Sequence, residues 1–399
     1  MPIAAANGSA AADAHASCWA RETHGSWARI SRPSTSLPYT TFTATPDERA
    51  VRTYREQHKA ECEEGPGRRP GPRCFTSNQL YEWRPSGLQM RAPTAPAEFA
   101  ATTCRVMHRL GFRRLVLMGD SIMRNQFSSM ISLMGRRADS SFDYKSSGQK
   151  SFKCGGASDG GVAHEMAVEL IALPEPSMLE FILAPWVAAG RPLPGSTQAA
   201  RRGTMFELML TIEGMTSEWL GWQEQHVSKL WTAFDDPKAL YVFNMGAHYP
   251  RAFNTSGQAF RAFVRDALAI RQLIRLRAPG THLVYRSTPA GHPECNTLTS
   301  PADEQTYARW ASNLDTDRYD GWGWHLFAGF DLAAREIFAP LGAAAFLDVA
   351  SPSAQRPDAH TAKRHGGGRL PPDCLHWSLP GVPDVWNYML LGALMHCRV

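Results

Sequence analysis

Leu115-Val116-Leu117-Met118-Gly119-Asp120-Ser121-Ile122-Met123-Arg124-Asn125-Gln126 is the stretch on which the reading of this chain turns. Four apolar residues run into Gly119-Asp120-Ser121, and Arg124 and Asn125 open a helix, so the segment reads as strand, tight turn, helix. A serine at that turn stands out at the end of a strand. Its backbone N–H groups lie at a helix N-terminus, where the partial positive charge of the helix favours an oxyanion. A lone Gly-Asp-Ser is equally an ordinary turn with a helix cap, so the rest of the chain has to decide between the two.

Around this stretch, strands and helices alternate. The apolar runs predict strands at Arg114 to Met118, Ala167 to Leu173, Met178 to Ala184, Phe206 to Ile212, Ala239 to Met245, His282 to Ser287 and Ala344 to Val349. Helical spacing predicts helices at Met123 to Met134, Trp219 to Phe234, Gln258 to Arg277, Gly323 to Phe338 and Asp384 to Met395. In the longest of these, Phe260, Phe263, Ala267, Ile270, Leu273 and Ile274 form an apolar stripe, with Arg261, Arg265, Arg271 and Arg275 opposite. The expected class is α/β, a parallel sheet with helices on both faces, in which sites form at the carboxyl ends of the strands. Ala188 to Thr204 and Ala350 to Pro372 are long irregular stretches, candidates for lids or binding loops.

Before residue 97 the pattern is different. Residues 1–17 are Ala-rich and aperiodic and are expected to be disordered. Residues 18–96 carry Pro, Gly, aromatics and three cysteines with little periodicity, and are expected to pack as a cysteine-rich segment on a main domain spanning 97–399. The eight cysteines, Cys18, Cys62, Cys74, Cys104, Cys154, Cys295, Cys374 and Cys397, are widely spaced without a C-x-x-C pair. That spacing argues against structural zinc and suits either a disulfide framework in an oxidising compartment or buried thiols. Asn7-Gly8-Ser9 and Asn254-Thr255-Ser256 match the glycosylation sequon.

A chain of 399 residues with 43% hydrophobic content has enough apolar side chain for a sizeable core. The net charge of +5 is small for this length, and the Arg-Arg pairs at Arg68, Arg113, Arg136 and Arg201 are dispersed, so nucleic acid is not an expected partner. No apolar run reaches the roughly 18 residues that span a bilayer, and the start lacks a basic n-region. Neither a phosphate-binding glycine loop nor a zinc-binding H-E-x-x-H occurs, and no metal site is expected.

A nucleophilic serine needs a base, and the base an orienting carboxylate. Near the C-terminus Asp373-Cys374-Leu375-His376-Trp377-Ser378-Leu379-Pro380-Gly381 places Asp373 and His376 three apart on a turn, on one side of it. Alone, such a pair is also an ordinary surface turn. A third piece, Val242-Phe243-Asn244-Met245-Gly246-Ala247-His248-Tyr249, ends another apolar strand. The Asn244 amide, with the Ser121 and Gly246 N–H groups, would supply oxyanion donors, each worth about 3 kcal/mol in other enzymes.

GDSIMRNQ, FNMGAHY and DCLHWSLPGVPDVWN, in this order, resemble the trichome birefringence-like proteins of the PC-esterase group within the SGNH/GDSL superfamily. Cys18, Gly25, Trp27, Tyr39, Cys74 and Trp83-Arg84-Pro85 resemble that family's cysteine-rich opening, and Cys295 after Gly291-His292-Pro293 a further cysteine position. The resemblance implies a three-layer SGNH-hydrolase-like fold with Ser121 as nucleophile, His376 as general base and Asp373 as its partner. Arg124 and Asn125 would border the oxyanion. Departures are Ile122 and Met123 for the family's Leu and Ser, Met245-Gly246-Ala247-His248 within its NTGHWW segment, and Ser378 for its second C-terminal cysteine.

The family's activity is transfer of O-acetyl groups onto cell-wall polysaccharides in the Golgi lumen, through an acetyl-serine. The expected partners are a polysaccharide acceptor and a membrane protein delivering acetyl. An acetyl donor is required and no bound cofactor is expected. The same residues would serve an acetylesterase if water took the acetyl group, and a glycan-binding protein with little turnover is a third reading. Trp322, Trp324, Trp377 and Tyr249 are candidates either for sugar stacking or for the core. His360, Lys363, Arg364, His365 and Arg369 form either a solvated basic loop or a contact for an acidic glycan.

Overall fold

In a computed structural model the described residues are 25–29, 81–85, 96–135, 148–154, 164–174, 232–253, 255–293, 323–341, 344–360, 373–377 and 381–396, with a few single positions between them. Strands β1 (Gly25–Arg29) and β2 (Tyr81–Pro85) pair antiparallel as a separate ribbon. Helix α1 (Pro96–Arg109) leads into β3 (Arg114–Gly119), α2 (Ser121–Leu133), β4 (Gly148–Cys154) and β5 (His164–Ala172). After β6 (Ala239–Phe243) come α3 (Tyr249–Ala252), α4 (Ser256–Arg277), β7 (His282–Arg286), α5 (Phe327–Phe338), β8 (Ala344–Leu347), α6 (Ala350–Ala354) and α7 (Val382–His396).

Six strands form one sheet in the order β4-β5-β3-β6-β7-β8, parallel throughout except for β4, which runs antiparallel at one edge. The fold is α/β. From β3 the chain goes to β5 on one side and then to β6 on the other, so the order of strands reverses between β3 and β6. That reversal opens a crevice at the carboxyl ends of the two strands, where ligands bind in folds of this kind. Leu115 to Met118 in β3 and all five residues of β6 are buried, as expected of strands covered on both faces.

Helices α1, α2 and α7 pack together, and α4 packs on α5. Thr255 caps α4 by accepting from the Gln258 N–H, and Ala259, Ala262, Phe263, Ala267, Ile270, Leu273 and Ile274 are its buried face. Phe260, assigned to that stripe from spacing, lies at its rim instead, 39% exposed and stacked on Phe330 with ring centroids 6.0 Å apart.

Strands predicted at Arg114, Ala167, Ala239, His282 and Ala344 are present, each within a few residues of its expected ends. The parallel sheet gains an unpredicted antiparallel edge. In β4, Phe152 and Cys154 are buried while Gln149, Ser151 and Lys153 are exposed, too thin an apolar signal to mark a strand. Ala350 to Ala359 is not irregular: it folds into α6 and a 3-10 turn, Pro357–Ala359. The strands expected at Met178 and Phe206, the stretch from Ala188 to Thr204, residues 1–17 and residues 361–372 lie outside the described residues, and the helix from Trp219 is described only towards its end.

Two disulfides join described cysteines. Cys104–Cys154 ties α1 to the edge strand β4, and Cys295–Cys374 ties the loop after β7 to the loop before α7. The β1–β2 ribbon docks through Trp27, whose indole N–H donates to the Pro352 carbonyl at 2.9 Å and whose face lies 4.3 Å from the Arg356 guanidinium carbon.

At the end of β7, the Asp331 carboxylate accepts from the Thr288 N–H at 2.8 Å, and lies 3.1 Å from both the Thr288 and the Tyr285 hydroxyls. Burial raises its pKa from 3.8 to about 8, against the pull of those hydrogen bonds and of the Arg286 charge. Across that window the folded protein holds a proton that the unfolded chain has released. Stability contributed at Asp331 therefore falls as pH rises from 3.8 to about 8, by at most about 1.4 kcal/mol per pH unit. Asp331→Asn should flatten this slope, measured as the denaturant midpoint in mildly acidic and mildly alkaline buffer; an unchanged slope would show that Asp331 does not titrate in the window.

Candidate active site

Gly119 ends β3 because nothing larger fits. A Cβ there would lie 2.6 Å from the Met123 Cβ and 3.0 Å from the Asn244 carbonyl oxygen. Asp120 is the N-cap of α2, its Oδ1 accepting from the Ile122 N–H at 2.9 Å. Ser121 is thus the first residue of α2, among the N–H groups that a helix leaves without internal partners. The turn is both a helix cap and the seat of a half-buried serine, so the two readings of Gly-Asp-Ser are not exclusive.

Across the crevice, the loop before α7 carries the other two residues. His376 Nε2 lies 2.7 Å from Ser121 Oγ, and His376 Nδ1 lies 2.8 Å from Asp373 Oδ2. Asp373 Oδ1 accepts from the N–H groups of Leu375 at 3.2 Å and His376 at 3.1 Å, which closes the turn. Burial alone would raise the Asp373 carboxyl. The hydrogen bond and charge of His376 and the two backbone donors outweigh it and hold the group well below the usual carboxylate range. An ionised Asp373 fixes the proton on His376 Nδ1 and leaves the Nε2 lone pair towards the serine hydroxyl.

The loop is held from several sides. Cys374 is disulfide-bonded to Cys295, and its carbonyl accepts from the His292 N–H at 3.0 Å. With Ser378 in place of a second cysteine, the bridge runs to the loop after β7. Asn125 Oδ1 accepts from the Trp377 N–H at 3.2 Å. The Asn125 side chain thereby anchors the histidine loop to α2, a role not read from the sequence, where it was expected at the oxyanion. Arg124 lies half-buried on the first turn of α2, its N–H donating to the Asp120 carbonyl at 3.1 Å.

The rest of the C-terminal motif is scaffold. Asp384 accepts from the Ser129 hydroxyl at 2.5 Å and the Gly381 N–H at 2.8 Å. Asn387 donates to the Gln126 carbonyl and the Ser129 hydroxyl, and Trp386 donates to Ser353. The bonds to Ser129 and Gln126 dock α7 on α2 and the bond to Ser353 docks it on α6, which fixes the loop just before α7.

Asn244 does not present its amide to an oxyanion. It is fully buried, and its Nδ2 hydrogens go to the Arg286 carbonyl at 2.9 Å and the Thr288 hydroxyl at 2.8 Å, clamping the ends of β6 and β7 together. Gly246, at φ +147, faces Thr288 Oγ1 and Phe330, a conformation and a spacing that exclude a larger residue. Arg286 was not singled out from the sequence. It is wholly buried, its three guanidinium nitrogens have no hydrogen-bond partner among the described residues, and its Cζ lies 5.1 Å from the Trp386 ring centroid. Burial lowers its pKa to about 10 while the charges of Asp120 and Asp331 oppose that fall, so it remains a cation behind the serine turn.

The aromatic candidates for sugar stacking belong to the core. Trp324 lies against Gly291, Tyr249 donates to Asp266 at 2.6 Å, and Trp377 is buried between His360 and Trp386; Trp322 lies outside the described residues. His360 is no part of a solvated loop either. It is buried, and Lys363, Arg364, His365 and Arg369 are not among the described residues. No helix among the described residues is long and apolar enough to cross a membrane, and no cluster of His, Cys, Asp or Glu among them could hold a metal ion.

Residues 216–393 match the GDSL/SGNH-like acyl-esterase family found in Pmr5 and Cas1p, PC-Esterase. The match contains Asp373 and His376 and begins after Ser121. Xylan O-acetyltransferase 14 of Oryza sativa subsp. japonica is 25% identical over 387 residues, 88% of this chain and 75% of the relative. Xyloglucan O-acetyltransferase 1 of Arabidopsis thaliana is 25% identical over 356 residues, 82% of this chain and 75% of the relative. Xylan O-acetyltransferase 7 of Oryza sativa subsp. japonica is 22% identical over 363 residues, 80% of this chain, which spans about half of that relative's length (52%). Relatives of this kind, the matched domain and an α/β sheet bearing serine and histidine at facing loops agree with one another: the chain is similar to the trichome birefringence-like proteins of the PC-esterase group.

Proposed function

We propose that this protein transfers O-acetyl groups to hydroxyls of a cell-wall polysaccharide through an acetyl-serine at Ser121. One observation carries the reading: residues 255 positions apart, Ser121 and His376, meet at 2.7 Å, with Asp373 on the far ring nitrogen. The names of the relatives, xylan and xyloglucan O-acetyltransferases, supply the acceptor class.

In this reading His376 Nε2 takes the Ser121 Oγ proton as the oxygen attacks the acetyl carbonyl of the donor. The oxyanion sits at the N-terminus of α2, where the Ser121 backbone N–H and the helix charge favour it. Collapse breaks the bond to the leaving group, which takes the proton from His376. A sugar hydroxyl then gives its proton to His376 Nε2 and attacks the acetyl-serine; Ser121 leaves and regains the proton. Asp373 stays ionised throughout and stabilises the imidazolium. The acetyl donor reaches the site through a membrane partner, in the Golgi lumen, where the disulfides are at home.

A second reading, acetylesterase, is supported by the acyl-esterase description of the matched family and by the openness of the site: the side chains of His376 and Asp373 are 30% and 25% exposed. Transfer then depends on the acceptor excluding water from the acetyl-serine.

Incubating the purified chain with an activated acetyl ester, with and without xylan oligosaccharides, separates the readings by mass spectrometry. Acetylated oligosaccharide is the expected product. Free acetate alone would make the protein an esterase, and tight glycan binding without turnover would overturn both. Ser121→Ala should lower kcat by about four orders of magnitude and abolish the acetyl-protein adduct. Asp373→Asn should lower kcat by about two to four orders of magnitude with KM little changed, because the ring loses the partner that fixes its tautomer. Wild-type rates in either variant would remove that residue from the mechanism.

A further inference from the structure

Behind His376 lies a pair of imidazoles that the proposed mechanism does not use. His292 Nδ1 and His360 Nε2 are 2.6 Å apart. The outer nitrogens each meet a backbone carbonyl: His292 Nε2 lies 2.7 Å from the Ala354 oxygen, and His360 Nδ1 lies 3.0 Å from the oxygen of His376 itself. Both rings are buried, and His360 lies over the Trp377 ring with centroids 4.1 Å apart. A β-bridge between His360 and Trp377 fixes the backbones at the same place.

The three contacts can be counted in hydrogens. A carbonyl oxygen only accepts, so each outer nitrogen must carry a proton, and the central N···N contact requires one more. Three hydrogens on four ring nitrogens are needed, whereas two neutral imidazoles supply two. With only two, one contact must set lone pair against lone pair: at Ala354, at the centre, or at His376. A third proton makes all three contacts attractive, and a charge-assisted N–H···N bond is short, as this one is.

We propose that His292 and His360 share one proton beyond the neutral pair and, in that state, act as positioning residues for His376 by donating from His360 Nδ1 to its backbone carbonyl. The role given to His376 rests on the proposed function; the proton count does not. Burial works against the charge, taking His292 alone to about 4 and His360 well below its ordinary value. Opposing it are the Ala354 carbonyl and the charge of Asp358 on His292, and the His376 carbonyl and the charge of Asp373 on His360. The Asp358 charge is itself engaged by Arg356 at 2.8 Å, and a protonated His376 would repel the pair. The Trp377 face adds an attraction for a cation. The pair is a unit, so the proton belongs to both rings, and the hydrogen-bond count decides against the effect of burial on either ring alone.

The test reads the protons directly. Long-range proton–nitrogen spectra of the full chain labelled with 15N-histidine, at neutral pH, should show three protonated ring nitrogens in this pair and one far-downfield N–H···N proton. Two protonated nitrogens would overturn the shared proton. The readout needs no turnover, so it stands even if the chain proves to be no transferase. For the positioning role, His360→Phe keeps a ring on Trp377 but removes both donors, and kcat for acetyl-ester cleavage should fall about tenfold with KM little changed. Wild-type kcat would overturn it. If that variant does not fold, His292→Asn keeps an acceptor for His360 Nε2, and His360 should then appear with both nitrogens protonated; an unprotonated Nδ1 would overturn the proposal.

Discussion

A hydrogen bond of 2.7 Å between Ser121 and His376 tolerates little play, and local structure alone holds only one of the two residues. Ser121 is fixed by a strand end and a helix start, two rigid objects joined by a capped turn. His376 lies on a loop, whose backbone would be free but for what surrounds it. A disulfide from Cys374, an accepted N–H at Trp377, a turn closed on Asp373 and the His360 contact at its carbonyl all converge on five residues, 373–377. A shift of about 1 Å in such a pair costs catalysis heavily, which gives a physical reason for so many restraints on so short a segment.

Those restraints explain what each part of the C-terminal motif does. Asp373 and His376 face the serine, while Asp384, Trp386 and Asn387 bond to Ser129, Ser353 and Gln126. The motif is therefore half site and half clamp. On the opposite side of the crevice, Asn244 clamps as well, holding β6 to β7 through the Arg286 carbonyl and Thr288. Hydrogen bonds inside a dry core are strong because unpaired groups there are costly. The same logic makes Arg286 unusual: a guanidinium behind the serine turn, buried without a hydrogen-bond partner among the described residues.

What was legible in the sequence was local. Leu115 to Met118 is a run of apolar residues ending in Gly119, and Asp373 and His376 are three apart, so the strand, the turn and the carboxylate–imidazole pair could each be read from neighbours. The helix from Ser256 was legible from its period, except for Phe260 at the edge of the stripe. Partnerships between distant segments were not. Whether the Asn244 amide faces a ligand or the core depends on where Thr288 lies, 44 positions on. His360 follows Asp358 and precedes a basic run, so by composition it reads as solvated; it is buried because Trp377 bridges to it from 17 positions away. Trp324, Trp377 and Tyr249 read as ambiguous because aromatic residues suit a cleft and a core alike, and here each packs inward.

The docking of α7 on α2 also sets an order of assembly. A chain made from its N-terminus presents Ser121 well before the loop carrying His376, and that loop is fixed only when α7 closes against Ser129. Until then Ser121 lacks its contact with His376, and contacts of such long separation are late to form. In the proposed function, the growing chain is thus a latent form of the protein until α7 is in place.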